Sequence, residues 1–335
     1  MTKEHRKASF AWKLGASFII LAGALMLAIV LGAKETTVQD VWRAIFTNDS
    51  GQQLDIIREL RLPRELGALV TGSALAAAGA IMQGMTRNPL ADPGILGLSA
   101  GANAALAINV AILPTVNYYG LMLACFIGAG FGALLVFGIG ASKKGGFSPF
   151  RIVLAGAAVT ALLFAVAQGV GLIFKISQNV SLWTAGGLVG TTWKQLAVIV
   201  PFIAAGLLIA LLLSKQLTVL SISEDVAVGL GQKTFAVKAI LFVVIVLLTG
   251  ASVALAGNLA FVGLLVPHIV RGITGSDYRF ILPMSAVSGG AFMLFADTAA
   301  RLINAPYETP VVAIMAIVGL PFFLFVVHKG GRAFT

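Results

Sequence analysis

The chain is short of nearly everything a soluble enzyme works with. Its 335 residues include one cysteine, three histidines and 13 acidic residues, and only 11% are charged. Soluble domains carry about a quarter charged residues, so a globular enzyme with a solvated surface is excluded. Cys125 lies in an apolar run, which leaves neither a disulfide framework nor a cysteine metal site. His5, His268 and His328 are scattered and no HExxH occurs, so no resident metal or cofactor is expected; His268, within VPHIVR, reads as a polar residue at a helix end. The chain also lacks GxxxxGK[ST]: GASKKGGFS and GGLVGTTWK both miss the spacing, so no nucleotide is held by that route. No lone acid stands in mid-run, where an ion-coupled carrier would keep one. Asp297 and Arg301, four apart on one helix face, are expected to neutralise each other.

What is abundant is apolar surface: 59% of residues are hydrophobic and the mean hydropathy is +0.98. Nearly uncharged runs cover Leu14–Ala33, Leu66–Thr86, Gly94–Val116, Gly120–Ala141, Ile152–Phe174, Gln195–Ser214, Ala239–Val270, Phe280–Ala296 and Thr309–Val327. Each suits one membrane helix of about 20 residues, except Ala239–Val270, which would measure about 48 Å as a single helix. Glycines punctuate that run, so it is split near Gly257, giving ten spans. The first run is too long for a signal-peptide core and is read as a retained span. With the N-terminus inside, ten spans put most cations on the cytoplasmic side and leave the outer side balanced, as the positive-inside rule requires. The net charge of +10 therefore reflects orientation in a bilayer, not a nucleic-acid surface. The expected fold is an all-α polytopic membrane protein of one domain, residues 1–335, with both termini cytoplasmic.

The stretch GAIMQGMTRNPLADPGILGLSAGAN, Gly79–Asn103, interrupts this pattern. Pro89 and Pro93 stop one helix and delay the next. Asn88 and Asp92 can bond the backbone groups so freed, which lipid could not satisfy. The segment is either an ordinary turn between spans or an element folded in beside a transport path. Glycines four apart (Gly97 and Gly101, Gly128 and Gly132, Gly186 and Gly190) point to closely packed helices.

Outside the spans, Val38, Val41, Trp42, Ile45 and Phe46 form one apolar stripe behind a Thr37–Asp40 capping box, a short helix lying along the outer membrane face. Asp55–Glu65 carries Arg58, Arg61 and Arg64, either snorkelling cations or a basic edge for an acidic external partner. The inner loop Lys215–Lys238 contains a capping-box pair, Ser221 and Glu224, and two candidate helix stops, Gly229 and Gly231. Its apolar Val226, Val228 and Leu230 suit docking to a soluble partner, with a bare solvated loop as the other reading.

RLPR at Arg61–Arg64, the stretch from Gly79, SEDVAVGLG at Ser223–Gly231, the segment Ala256–Pro283 and ADTAARLINAPYETPVVAIMAIVGLPFF at Ala296–Phe323 together resemble the permease subunits of bacterial ABC importers for ferric siderophores, haem and vitamin B12. Two places depart from the family's pattern, ETPVV at Glu308–Val312 and ISED at Ile222–Asp225. The resemblance implies ten helices per subunit, two similar four-helix halves of opposite orientation plus two extra spans, and a second permease copy or sister chain facing a shared path. Two cytosolic ATPases, which hold the ATP and magnesium, would dock on Ser221, Ser223, Glu224, Asp225, Val226, Gly229, Leu230 and Gly231. An extracytoplasmic substrate-binding protein would dock on Arg61, Arg64 and Arg301. Lys143 and Lys144 would lie near the cytoplasmic gate, and Ser177–Gly190 would form an outer gate helix, with Gln168, Asn179 and Trp183 along the path. Gln83, Asn88, Pro89, Asp92, Pro93, Gly97, Gly101, Pro267 and His268 belong to the structural motifs. The implied cargo is an iron–siderophore complex, with haem or cobalamin as the alternative, imported through the bacterial cytoplasmic membrane.

Overall fold

The structure, a computed structural model, describes residues 3–32, 36–94, 97–113, 115–141, 149–184, 187–305 and 307–330. It is all-helical among these residues. In chain order the helices are α1 (Lys3–Val30), α2 (Val38–Phe46), α3 (Gln52–Ile56), α4 (Leu62–Thr86), α5 (Leu98–Ile112), α6 (Tyr118–Ala141), α7 (Pro149–Ile173) and α8 (Ser177–Thr184). They continue with α9 (Trp193–Leu212), α10 (Ser214–Ile222), α11 (Glu224–Gly229), α12 (Thr234–Ala256), α13 (Val262–Thr274), α14 (Tyr278–Leu302) and α15 (Val311–Gly330). Among the described residues, eight helical stretches are long and apolar enough to cross a membrane, and α5 and α13 are shorter apolar helices of 15 and 13 residues.

α3 and α4 run on through a π-turn, Ile57–Arg61. Pro63 explains the turn: it has no N–H for the Glu59 carbonyl, and the ladder shifts so that Leu62 N–H bonds Ile57 O. The continuous stretch Gln52–Thr86 has 35 residues, about 52 Å at 1.5 Å each. A hydrocarbon core is about 30 Å thick, so the stretch is longer than one upright crossing needs.

α4 is the hub. Its span is 83% buried, against 22% for those at either end of the chain, so α4 is enclosed by protein while α1 and α15 face outward. α14 lies along α4, with α12, α13 and α9 around it; α5 packs between α6 and α7. Lipid removes the hydrophobic incentive for helices to associate, leaving van der Waals contact to hold them, and small residues maximise that contact. Gly72 meets the Gly289 backbone, Gly79 meets Gly263, Gly101 meets Gly128 and Gly97 meets Gly132. The expected pairs 97/101 and 128/132 thus face each other across α5 and α6. The third pair differs: Gly186 is outside the described residues, and Gly190 is a turn residue at φ +76.

The expected break at Gly257 is present. α12 ends at Ala256, and Gly257 takes φ +71, ψ −156, a conformation essentially reserved for glycine. Phe261, at φ +70, then opens α13, its ring over the backbone of Gly319. In the run Gly94–Val116, α5 begins at Leu98, directly after Gly97 at φ +80. The resulting length pattern repeats: α4 to α7 have 25, 15, 24 and 25 residues, α12 to α15 have 23, 13, 25 and 20.

Candidate functional site

The segment between α4 and α5 is folded in, not an exposed turn. Ala91, Asp92 and Pro93 are buried. Asn88 Oδ1 accepts from Leu90 N–H at 3.0 Å and Asp92 Oδ1 from Gly94 N–H at 2.7 Å, as a buried backbone without a ladder requires. Asp92 also lies against Gly263 in the first turn of α13, so the two broken segments meet. Gln83 and Pro267 explain each other here. Pro267 has no N–H for the Gly263 carbonyl, and buried Gln83 Nε2 donates to that oxygen at 3.1 Å. His268 is half-buried at the middle of α13 rather than at a helix end, its ring edge-on to Phe322 at 5.5 Å.

Where α4 begins and α14 ends, three arginines and three carboxylates gather. Arg64 bonds Asp297 at 3.0 Å and Glu308 at 2.7 Å. Arg301 lies 3.1 Å from Asp297 and 2.6 Å from Glu65. The Arg301 Nη2 hydrogens are aimed at Ala28 O and Thr298 Oγ1, so charge rather than a hydrogen bond holds the wholly buried Glu65. Arg61 Nη1 donates to Ile29 O at 2.6 Å, Val30 O at 3.1 Å and Thr36 Oγ1 at 2.8 Å, closing the last turn of α1.

The docking expectation for Arg61, Arg64 and Arg301 therefore needs correction as to their availability. Their side chains face inward and serve contacts within the chain; Arg61 is 8% exposed, and the side chains of Arg64 and Arg301 are 12% and 9% exposed. Desolvating a guanidinium is costly unless acids and carbonyls surround it; α4, α14 and the segment after it supply the acids, and the end of α1 the carbonyls. Sequence reasoning found the Asp297–Arg301 pair from its spacing but missed Glu65 and Glu308, whose partners are distant in the chain. Arg58 is likewise committed, wrapping the carbonyls of Ala44, Thr47 and Asp49 at the end of α2.

At the opposite end of α4 lies the α10–α11 hairpin. Residues 215–238 are mostly helical rather than a bare loop. The cap differs from the expected Ser221–Glu224 box: Ser223 is extended at φ −162 and accepts from Val226 N–H at 3.2 Å. Ser221 belongs to α10 and donates to Thr218 O. At the other end Gln232 N–H bonds Ala227 O at 2.9 Å and Gly231 N–H bonds Val228 O at 2.8 Å, a Schellman stop with Gly231 at φ +77. Gly231, not Gly229, is the left-handed residue. Replacing Gly231 with alanine puts a Cβ in the left-handed region at about 1–2 kcal/mol. The expected result is faster amide exchange confined to α11, measured by hydrogen–deuterium exchange.

Glu224 bonds Lys238 at 2.6 Å, tying α11 to α12. Its carboxyl titrates below the ordinary value of 4.5, because the Lys238 bond outweighs its slight burial. The tie is accordingly complete above pH 4.5 and weakens as acid protonates the carboxylate. Only Ala227 of α11 is buried; Asp225 is exposed, and Val226, Val228 and Leu230 are 43%, 57% and 70% exposed. Ile222 and Phe235 extend that apolar patch. These apolar groups stand exposed beside a single buried anchor, Ala227.

Of the expected path residues, Gln168 is half-buried on α7. Asn179 and Trp183 fall on α8 with side chains outside the described set, and Lys143 and Lys144 are outside the described residues.

Long, apolar, glycine-packed helices with an exposed apolar patch at one end and a buried cluster of arginines and carboxylates at the other mark a multi-pass membrane protein. The sequence profile of the FecCD transport family matches residues 19–329, and the chain belongs to that family. It is 44% identical over 328 residues to the iron(3+)-hydroxamate import system permease protein FhuB of Bacillus subtilis (strain 168), covering 95% of this chain and 85% of that one. It is 35% identical to the ferric enterobactin transport system permease protein FepD of Escherichia coli (strain K12), covering 94% of each. The hemin transport system permease protein HmuU of Yersinia pestis is 36% identical, over 94% of this chain and 95% of that one. A solved inward-facing conformation of a metal-chelate type ABC transporter superposes with a TM-score of 0.82 at 25% identity, covering 95% of this chain and 99% of that one.

Proposed function

We propose that the chain is the permease subunit of an ATP-binding-cassette importer carrying an iron–siderophore complex, of the hydroxamate class, into the cytoplasm. The likeness to the iron–hydroxamate permease over 95% of the chain carries the cargo assignment. In this reading α5 and α13 join the eight long helices to make ten spans, in two four-helix halves of opposite orientation, with both termini cytoplasmic in a bacterial cell membrane. α2 lies in the outer interface, with Val38, Trp42, Ile45 and Phe46 exposed to headgroups.

A cytosolic ATPase dimer holding ATP and magnesium docks on the α10–α11 face, and a second permease subunit completes the path. ATP binding draws the ATPases together, and the permease pair changes which side is open. The permease itself needs two packings of similar free energy and no catalytic group. An extracytoplasmic binding protein approaches the arginine–carboxylate end, where an acid on the receptor competes with the 41%-exposed Glu308 for Arg64.

Two measurements test this. Vesicles containing the permease and its ATPases should accumulate radiolabelled ferric hydroxamate only with ATP and a binding protein present; accumulation without the ATPases overturns the reading. Glu224→Arg breaks the Lys238 tie and reverses charge on the docking face, and the ATPase should then fail to co-purify. An intact complex would remove α10–α11 from the interface.

A further inference from the structure

The α10–α11 face must be connected to the membrane-embedded helices, and one side chain stands where they meet. α11 packs on α10 and α12, whereas α10 packs chiefly on α4 and α14. At that contact Thr218 Oγ1 accepts the Tyr278 N–H at 2.9 Å and lies 3.2 Å from Asp277 Oδ1, its proton shared between that oxygen and Ser214 O. Asp277 caps α14 and pairs with Arg279 at 2.6 Å. Burial alone would raise the Asp277 carboxyl, but the bonds from Arg279 and Thr218 hold it below the ordinary range. Asp277 is therefore ionised at neutral pH and able to hold Thr218 and Arg279.

Tyr278 is 2% exposed, its ring pressed between α4 and α10. A Cβ on Gly84 would stand 2.7 Å from Tyr278 Cζ and 2.8 Å from Leu217 Cδ1, so the missing side chain of Gly84 is what admits the ring. Beyond the ring, the hydroxyl accepts from Arg271 Nη2 at 2.7 Å. The same nitrogen reaches Gln83 Oε1 at 3.4 Å, and Gln83 holds the carbonyl freed by Pro267. A continuous polar chain thus runs from α10, through the start of α14 and the last turn of α13, to the broken joint where Asp92 and Gly263 meet.

We propose that Tyr278 is a positioning residue, a strut that carries displacement of the α10–α11 face into α13 and its joint with α4. The inference rests on the reading of α10–α11 as the ATPase-docking element. Packing alone asks only for a phenyl ring at this place; the hydroxyl is needed to hold Arg271, and the Thr218 hydroxyl to hold the Tyr278 backbone. A ring free to slide on α13 would let α10 move without taking the joint along.

The test uses the assembled transporter in vesicles, with ATP hydrolysis and cargo uptake measured separately in Tyr278→Phe and Thr218→Val. Hydrolysis should stay within about twofold while cargo moved per ATP falls at least about fivefold, the scale of an ordinary coupling free energy. Thr218→Ser keeps the hydroxyl and should restore the ratio. A wild-type ratio in both variants overturns the strut, as does a proportional loss of hydrolysis and uptake with a lowered melting temperature, which is what a mere clamp would produce. Glu224→Arg separates the two readings. If it spares the ATPase complex, the docking assignment fails; if it removes the ATPase while Tyr278→Phe couples normally, only the strut fails.

Discussion

Gly79→Val is expected to leave little or no folded permease. A Cβ at Gly79 would stand 2.0 Å from the Gly263 carbonyl oxygen and 2.4 Å from its Cα, and both are backbone atoms that no rotamer change can move. Overpacking a core with side chains free to adjust costs about 1–3 kcal/mol. Here α4 and α13 must separate bodily, which also pulls Gln83 from the carbonyl left free by Pro267. Losing that bond strands a buried polar group at about 1–3 kcal/mol more. The check is the monodisperse fraction and melting temperature of detergent-solubilised protein, with Gly169→Ala as control. No atom beyond its own turn of helix lies within 4 Å of a Cβ at Gly169, so that variant should match the wild type. A well-folded Gly79→Val protein would mean that α4 and α13 do not touch here.

Asp297→Ala should cost nearly as much through charge. Asp297 is wholly buried, bonded by Arg64 through Nε and Nη2 and approached by Arg301 at 3.1 Å. Without it two guanidinium groups share only Glu65 and Glu308, and breaking a buried pair by deleting one partner costs about 3–5 kcal/mol. Asp297→Asn keeps the shape but loses the charge, and should lie between wild type and alanine. The readout is thermal unfolding of the purified permease at low and high salt. Little salt dependence is expected, because a buried cluster is screened less than surface pairs. An unchanged melting temperature in Asp297→Ala would show that the cluster is solvated.

The membrane class, the run-by-run positions of the helices and the break at Gly257 were legible because hydropathy and glycine act locally. Pro89, Pro93, Asn88 and Asp92 likewise announced a broken segment, since proline's lost N–H depends on no neighbour. The cap of α11 was misplaced by two residues: Ser221 and Ser223 both suit a cap, and only the end of α10 at Ile222 decides between them. The arginines were harder. Arg58, Arg61 and Arg64 read as either snorkelling cations or an external basic edge, and Arg301 joined them only through the family resemblance, because exposure is invisible in a string of letters. The acids of Arg64 lie far away, more than 200 positions on, and Glu65 is as distant from Arg301.

The amino-acid sequence by itself determined that this chain crosses a bilayer many times, holds no nucleotide motif and breaks its helices at two places, because those properties follow from each residue's own solvation and backbone chemistry. Only the tertiary structure decided that Gly79 abuts Gly263, that Gln83 serves the carbonyl Pro267 leaves free, and that three arginines are turned inward. These are meetings between residues distant along the chain. Such contacts exist only once the helices have closed around α4, where the distance between backbones, not the character of any one residue, sets the energy.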